Sequence, residues 1–134
     1  CDWSSDVCSS DLDFTQGITG VSSRTFNEPG YLTSDGTALA VADTNNNRVL
    51  IWNSVPTCTP TGGATGCAST TGANVVLGQP DFTSNTVNNN GAGSGNAGSP
   101  NNSGLNAPTG IYFNGANQLL VVDTDNNRAL IFNK

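Results

Sequence analysis

The sequence contains no histidine and no methionine, and its 134 residues hold only 4 Lys+Arg against 10 Asp+Glu. Each shortage removes a class of function. Without histidine there is no imidazole to move protons near neutral pH and no His-ligated zinc. Four cations neutralise too few phosphates for a nucleic-acid footprint, and the formal net charge is −6. No apolar run approaches the roughly 18 residues of a membrane-spanning helix, so membrane insertion is not expected. The length fits one domain, and Gly, Asn, Ser and Thr supply much of what is neither charged nor apolar.

The stretch Asp2-Trp3-Ser4-Ser5-Asp6-Val7-Cys8-Ser9-Ser10-Asp11-Leu12 differs in character from the rest of the chain. It resembles the translation of a sequencing-adapter oligonucleotide, and a codon for Cys1 fits the same frame. Residues 1–12 are therefore expected to be an adapter-derived artefact and are set aside from fold reasoning. The alternative is a natural Ser/Asp-rich N-terminus with a Cys1/Cys8 pair. Setting them aside removes Asp2, Asp6 and Asp11, leaving 7 acids and 4 bases, and it leaves Cys58 and Cys67 as the only cysteines.

What is present is a repeat. Val41-Ala42-Asp43-Thr44-Asn45-Asn46-Asn47-Arg48-Val49-Leu50-Ile51-Trp52-Asn53 recurs 80 residues later as Val121-Val122-Asp123-Thr124-Asp125-Asn126-Asn127-Arg128-Ala129-Leu130-Ile131-Phe132-Asn133, with 9 of 13 positions identical. Upstream, Phe26-Asn27-Glu28-Pro29-Gly30-Tyr31 aligns with Leu105 to Ile111 if Thr109 is an insertion. A weaker echo relates Asp13-Phe14-Thr15 to Asp81-Phe82-Thr83. Within each copy, two short β-branched and aromatic runs flank an Asn-rich turn, the pattern of a β-hairpin. Hairpins are expected at 39–42 with 49–52 and at 119–122 with 129–132. A preceding strand is expected at 30–33 and at 110–113, and a further strand at 74–78. Four antiparallel strands per unit, repeated radially, match the composition of a propeller blade.

The order N-x-P-x-G, strand, V-x-D-T-x-N-N-R, strand resembles NHL repeats, with Val75-Leu77-Gly78-Gln79 standing as that family's closing strand. The resemblance implies an all-β fold of antiparallel four-stranded blades, forming part of an incomplete NHL-type β-propeller. On this reading 13–25 is the tail of a preceding repeat, and 26–78 is one blade with an insert at 54–73. An Asn/Gly-rich loop occupies 79–104, and 105–134 is a partial second blade. The 80-residue spacing exceeds the family's usual unit, and the excess lies in the two inserts. Two units do not close a propeller, so further blades are expected to cover an otherwise open apolar face.

Asp43, Asn46, Asn47 and Arg48, with Asp123, Asn126, Asn127 and Arg128, are the marked polar residues. A binding or catalytic constellation is one reading. The favoured one is a hairpin clamp, because a residue that recurs in every unit is architecture rather than a unique site. The acid and arginine are expected to pair across the turn or with a neighbouring blade. The apolar residues Leu39, Val41, Leu50, Trp52, Leu119, Val121, Leu130 and Phe132 are expected to form core between stacked blades.

Cys58 and Cys67 lie in a Gly/Thr/Pro loop too poor in ligands for a metal site. A disulfide there would stabilise by about 3 kcal/mol and implies an extracellular or periplasmic location; two cytosolic thiols are the alternative. Asp81, Asn85, Asn88, Asn89 and Asn90 offer oxygen atoms but not the spacing of a calcium loop. No cofactor and no metal are expected. Asn101-Asn102-Ser103 is a glycosylation sequon.

Two functions from different classes remain. One is a secreted or cell-surface propeller that scaffolds binding to a protein or glycan, with the inserts carrying recognition. The other is a propeller enzyme, of the lyase or lactone hydrolase type, whose active-site residues lie in other blades. The inner strands 30–33 and 110–113 carry no acid or histidine, which weighs against the enzyme. RNA binding is disfavoured by the acidic balance.

Overall fold

A computed structural model describes residues 19–57, 59–60, 67–68, 71–89, 98–115 and 117–134. The described chain is all β apart from two single 3₁₀ turns. Strands β1 (Pro29–Ser34), β2 (Leu39–Asp43) and β3 (Arg48–Trp52) form an antiparallel meander. Two-residue strands β4 (Thr59–Pro60) and β5 (Cys67–Ala68) pair within the first insert. Strand β6 (Val75–Leu77) then completes a four-stranded sheet in the order β1-β2-β3-β6. Strands β7 (Pro108–Phe113), β8 (Gln118–Asp123) and β9 (Arg128–Asn133) form a second, three-stranded antiparallel sheet. The described residues contain no helix long and apolar enough to cross a membrane. Residues 1–18, including the adapter-like stretch and the echo at Asp13, lie outside the described residues. So does the expected Cys58–Cys67 disulfide, and with it the inferred location.

Register corrects one detail of the repeat. Pro29 pairs with Asp43 and Leu32 with Val41, while Pro108 pairs with Asp123 and Ile111 with Val121. The first strands are therefore equivalent at an offset of 79 along their whole length, and Thr109 is the counterpart of Gly30 rather than an insertion. The extra residue falls in the turn between β7 and β8. Matching identical glycines misled the alignment. Gly30 serves a local need of its own, since a Cβ there would meet Thr44 Oγ1 at 2.8 Å and the Thr109 carbonyl at 3.2 Å.

Period-two alternation gives each sheet two faces. Ala40, Ala42, Val49 and Ile51 share one face of the first sheet, with Leu77 beside Val49. That face packs on Ile111, Phe113, Leu119, Val121, Leu130 and Phe132 of the second sheet, with Leu105 between them. Small alanines thus oppose large side chains across the interface between the two sheets. Leu39, Val41, Leu50 and Trp52 point the other way. They form a separate cluster with Phe26, Ala73, Val76 and Phe82, where the Phe26 and Trp52 rings tilt at 43° with centroids 6.2 Å apart. So the second copy's stripe lies between the sheets and the first copy's stripe does not, because the sheets stack in the same sense, like face never meeting like face.

Candidate functional site

Both 3₁₀ turns, Thr44–Asn46 and Thr124–Asn126, end on an asparagine in the left-handed region, Asn47 at φ 53° and Asn127 at φ 52°. Asparagine tolerates this conformation better than other residues with a Cβ. The reversal brings the preceding aspartate opposite the following arginine, and the acid pairs across its own turn rather than with a neighbouring sheet.

Asp43 is fully buried and saturated with donors. Its Oδ2 accepts from Arg48 Nε at 2.7 Å and Asn46 Nδ2 at 2.9 Å, and its Oδ1 accepts from the Asn27 backbone N–H at 2.7 Å. Arg48, also fully buried, sends Nη1 to the Phe82 carbonyl at 2.6 Å. Its Nη2 donates to the carbonyls of Ser22 and Thr25 at 2.9 and 3.0 Å. One guanidinium therefore fastens the segment before β1, the hairpin turn and the segment after β6. A planar fork of fixed donors suits this better than a lysine ammonium. Asn46 Nδ2 also donates to the Gly20 carbonyl at 2.9 Å, while its Oδ1 is buried without a donor.

The second cluster repeats the first in part. Asp123 Oδ2 accepts from Arg128 Nε at 2.7 Å and Asn126 Nδ2 at 2.8 Å, and its Oδ1 accepts from the Asn106 N–H at 2.7 Å. Arg128 Nη2 donates to the Gly104 carbonyl at 2.8 Å, the counterpart of Thr25. Among the described residues Arg128 has no equivalent of the Phe82 contact, and its side chain is 24% exposed.

Asn47 joins the units. Its Oδ1 accepts from the Ala107 N–H at 2.9 Å and its Nδ2 donates to the Asn85 carbonyl at 3.0 Å. Beside it, Thr44 Oγ1 donates to the Pro108 carbonyl at 2.9 Å. Ala107 presents its N–H from a positive φ of 48°, and its counterpart Glu28 repeats this at 51°. Asn127 is exposed.

Sequence reasoning missed three contributors, Gln79, Asn88 and Asn89. Gln79 is buried, its Nε2 donating to the carbonyls of Asn47 at 3.0 Å and Thr86 at 2.8 Å and its Oε1 accepting from Asn89 Nδ2 at 3.1 Å. Its place after Leu77-Gly78 was the only signal. Asn88 exchanges two hydrogen bonds with Asn126, at 3.1 and 2.7 Å. Asn88 and Asn89 are buried although they stand in a low-complexity stretch, because amides rather than apolar groups fill the space there, Asn88 beside Asn126 and Asn89 beside Gln79. Asp81 is occupied locally: its carboxyl is pulled below the usual range first by the Thr83 hydroxyl and then by the Thr83 N–H. Among the described residues no three His, Cys, Asp or Glu side chains gather as metal ligands.

Every polar side chain of the first cluster is thus bonded to the fold itself, leaving no free nucleophile or base in it. Compared with known proteins, the chain matches no family model and no curated protein.

Proposed function

We propose that the chain is a stretch of an NHL-type β-propeller acting as a secreted or cell-surface scaffold for binding a protein or glycan. The observation that carries this is the fate of the repeated polar residues. Asp43 and Arg48 spend their hydrogen-bonding capacity on Asn27, Asn46, Ser22, Thr25 and Phe82, and Asp123 and Arg128 follow the same plan. Residues committed in this way stiffen a scaffold and offer no chemistry. The same-sense stacking of two equivalent sheets is the arrangement that radial repetition requires, and further blades complete the ring. Recognition falls to the chain that is not repeated, 54–73 and 80–104, as variable loops on a rigid frame commonly bind. Fold alone does not identify the partner.

The test is to probe glycan and extracellular-protein arrays with the full chain and with a variant carrying a Gly/Ser sequence of equal length at 61–66. The expected result is selective binding by the wild-type chain, lost or altered in the variant at unchanged melting temperature. Absence of selective binding by the wild-type chain, or turnover of a lactone by it, contradicts the reading.

A further inference from the structure

The turns that lead from β1 to β2 and from β7 to β8 are equivalent in place and unlike in chemistry. Asp35-Gly36 follows Ser34 in the first, and Asn114-Gly115 follows Phe113 in the second. Ser34 and Phe113 share a register position, opposite Leu39 and Leu119. Both glycines adopt a positive φ, 89° at Gly36 and 73° at Gly115. A carboxylate holds the first turn, Asp35 Oδ1 accepting from the N–H groups of Thr37 and Ala38 at 2.8 and 2.7 Å. The second turn carries a primary amide at the same place.

Asparagine is a thermolabile residue, because its side chain closes into a five-membered imide when the nitrogen of the following residue reaches Cγ. A side chain on that following residue is the main obstacle. Gly115 has none, and a Cβ built there would meet nothing within 4 Å. Asn114 and Gly115 are both exposed, so water reaches the ring once it forms. The turn itself is closed by the Asn114 N–H on the Gln118 carbonyl at 3.1 Å, and Asn114 Nδ2 donates to Gln118 Oε1 at 2.8 Å. Every other described asparagine except Asn89 precedes a described residue that carries a side chain, and Asn89 is buried with its amide on Gln79. Asn-Gly recurs at Asn90-Gly91, which lies outside the described residues.

We propose that Asn114 is a site of spontaneous deamidation in the folded protein, with water as the co-reactant. The Gly115 nitrogen attacks Asn114 Cγ and a C–N bond forms. The Cγ–Nδ2 bond breaks, and ammonia leaves with the proton that the Gly115 nitrogen gives up. Water then opens the imide at either carbonyl, with no oxidation or reduction. Opening at Cγ gives aspartate on an unaltered main chain. Opening at the Asn114 carbonyl carbon gives isoaspartate, whose main chain runs through Cγ and is longer by one methylene. The two products differ in consequence. Aspartate reproduces the residue that caps the equivalent turn at Asp35, whereas isoaspartate lengthens the connection between β7 and β8. Either one adds a negative charge to an acidic chain. The proposal goes beyond the binding function and does not depend on it.

The experiment is storage of the full folded chain at mildly alkaline pH, followed by trypsin digestion and tandem mass spectrometry of the 49–128 peptide between Arg48 and Arg128. The same chain stored in urea is the reference for an unconstrained Asn-Gly pair. The folded chain is expected to gain the mass of an amide-to-acid conversion at residue 114, with isoaspartate detected by an isoaspartate methyltransferase. The conversion is expected to speed up as pH rises, since the attacking nitrogen must lose its proton. In Gly115→Ala, whose folding a melting curve verifies, conversion at residue 114 is lost or strongly slowed while conversion elsewhere is unchanged. An Asn114 that stays intact in the folded chain overturns the proposal, and conversion in urea alone then shows that the turn protects it. Conversion confined to Asn90, or a Gly115→Ala chain that converts at residue 114 as fast as the wild type, also overturns it.

Discussion

The side-chain oxygen of Asn47 holds the backbone N–H of Ala107 at 2.9 Å, across 60 residues of sequence. That bond ties the turn of one repeat to the strand entry of the next. The left-handed backbone of Asn47 points the amide outward, and the positive φ of Ala107 turns its N–H back to meet it. The same residue that closes a hairpin locally thus also sets the spacing between units.

Asn47→Gly separates the two roles, because glycine keeps the left-handed conformation while deleting the amide. Losing the buried partners of Ala107 and Asn85 is expected to cost about 1–3 kcal/mol. Asn127→Gly, at an exposed position of identical geometry, is expected to change stability by about 0.5 kcal/mol or less. Urea unfolding of the two variants compares them directly.

Arg48→Ala leaves the Asp43 carboxylate buried and unpaired, and strips donors from Phe82, Ser22 and Thr25. Breaking such a pair is expected to cost about 3–5 kcal/mol. Arg128→Ala costs less, because the Arg128 side chain is partly solvated and serves fewer carbonyls. Arg48→Lys recovers only part of the loss, since an ammonium does not span the three directions of the fork. Thermal and urea unfolding of the three variants rank them.

Gly78 adopts φ 92°, and a Cβ there would lie 2.6 Å from the Asn47 carbonyl and 2.9 Å from Leu105 Cδ1. Gly78→Ala combines left-handed strain with a clash against backbone. Gly115→Ala, at φ 73° with open space around it, suffers the strain alone, about 1–2 kcal/mol. Gly78→Ala is expected to lower the melting temperature well beyond Gly115→Ala.

Asp35 links the two sheets from the outside, accepting from Lys134 Nζ at 2.6 Å. That hydrogen bond, followed by the backbone N–H groups of Ala38 and Thr37, holds the Asp35 carboxyl at about 2. In the unfolded chain it titrates near the ordinary aspartate value of about 4. A depressed folded value means that the tie contributes fully above about pH 4 and is lost as pH falls through about 2. Asp35→Asn is expected to flatten the melting temperature across that window while leaving its slope above about pH 5 unchanged.

Much of the architecture was readable because the residues that build it are local. Alternating apolar runs and the Asn-rich turn specify each hairpin, and the repeat made the second copy a check on the first. The pairing of Asp43 with Arg48 followed from the turn that separates them. What escaped was non-local. Which face of a strand meets the neighbouring sheet depends on stacking sense, so the sequence does not separate Leu39 and Trp52, which lie in a cluster of their own, from Leu119 and Phe132, which lie between the two sheets. Gln79, Asn88 and Asn89 carry no periodic signal, and their burial follows only from the space beside the turns that they fill.

The two sheets form one cooperative stack held at Asn47 and the alanine-lined interface. Native-state hydrogen exchange reads this cooperativity, comparing the amides of Val49 and Leu50 with those of Val121 and Leu130 in the wild-type and Asn47→Gly chains. Both sets are expected to open with a common free energy in the wild type and to accelerate together in the variant. Exchange that is independent in the two sheets, or a variant that leaves both sets unchanged, would show that the stack is not a single unit.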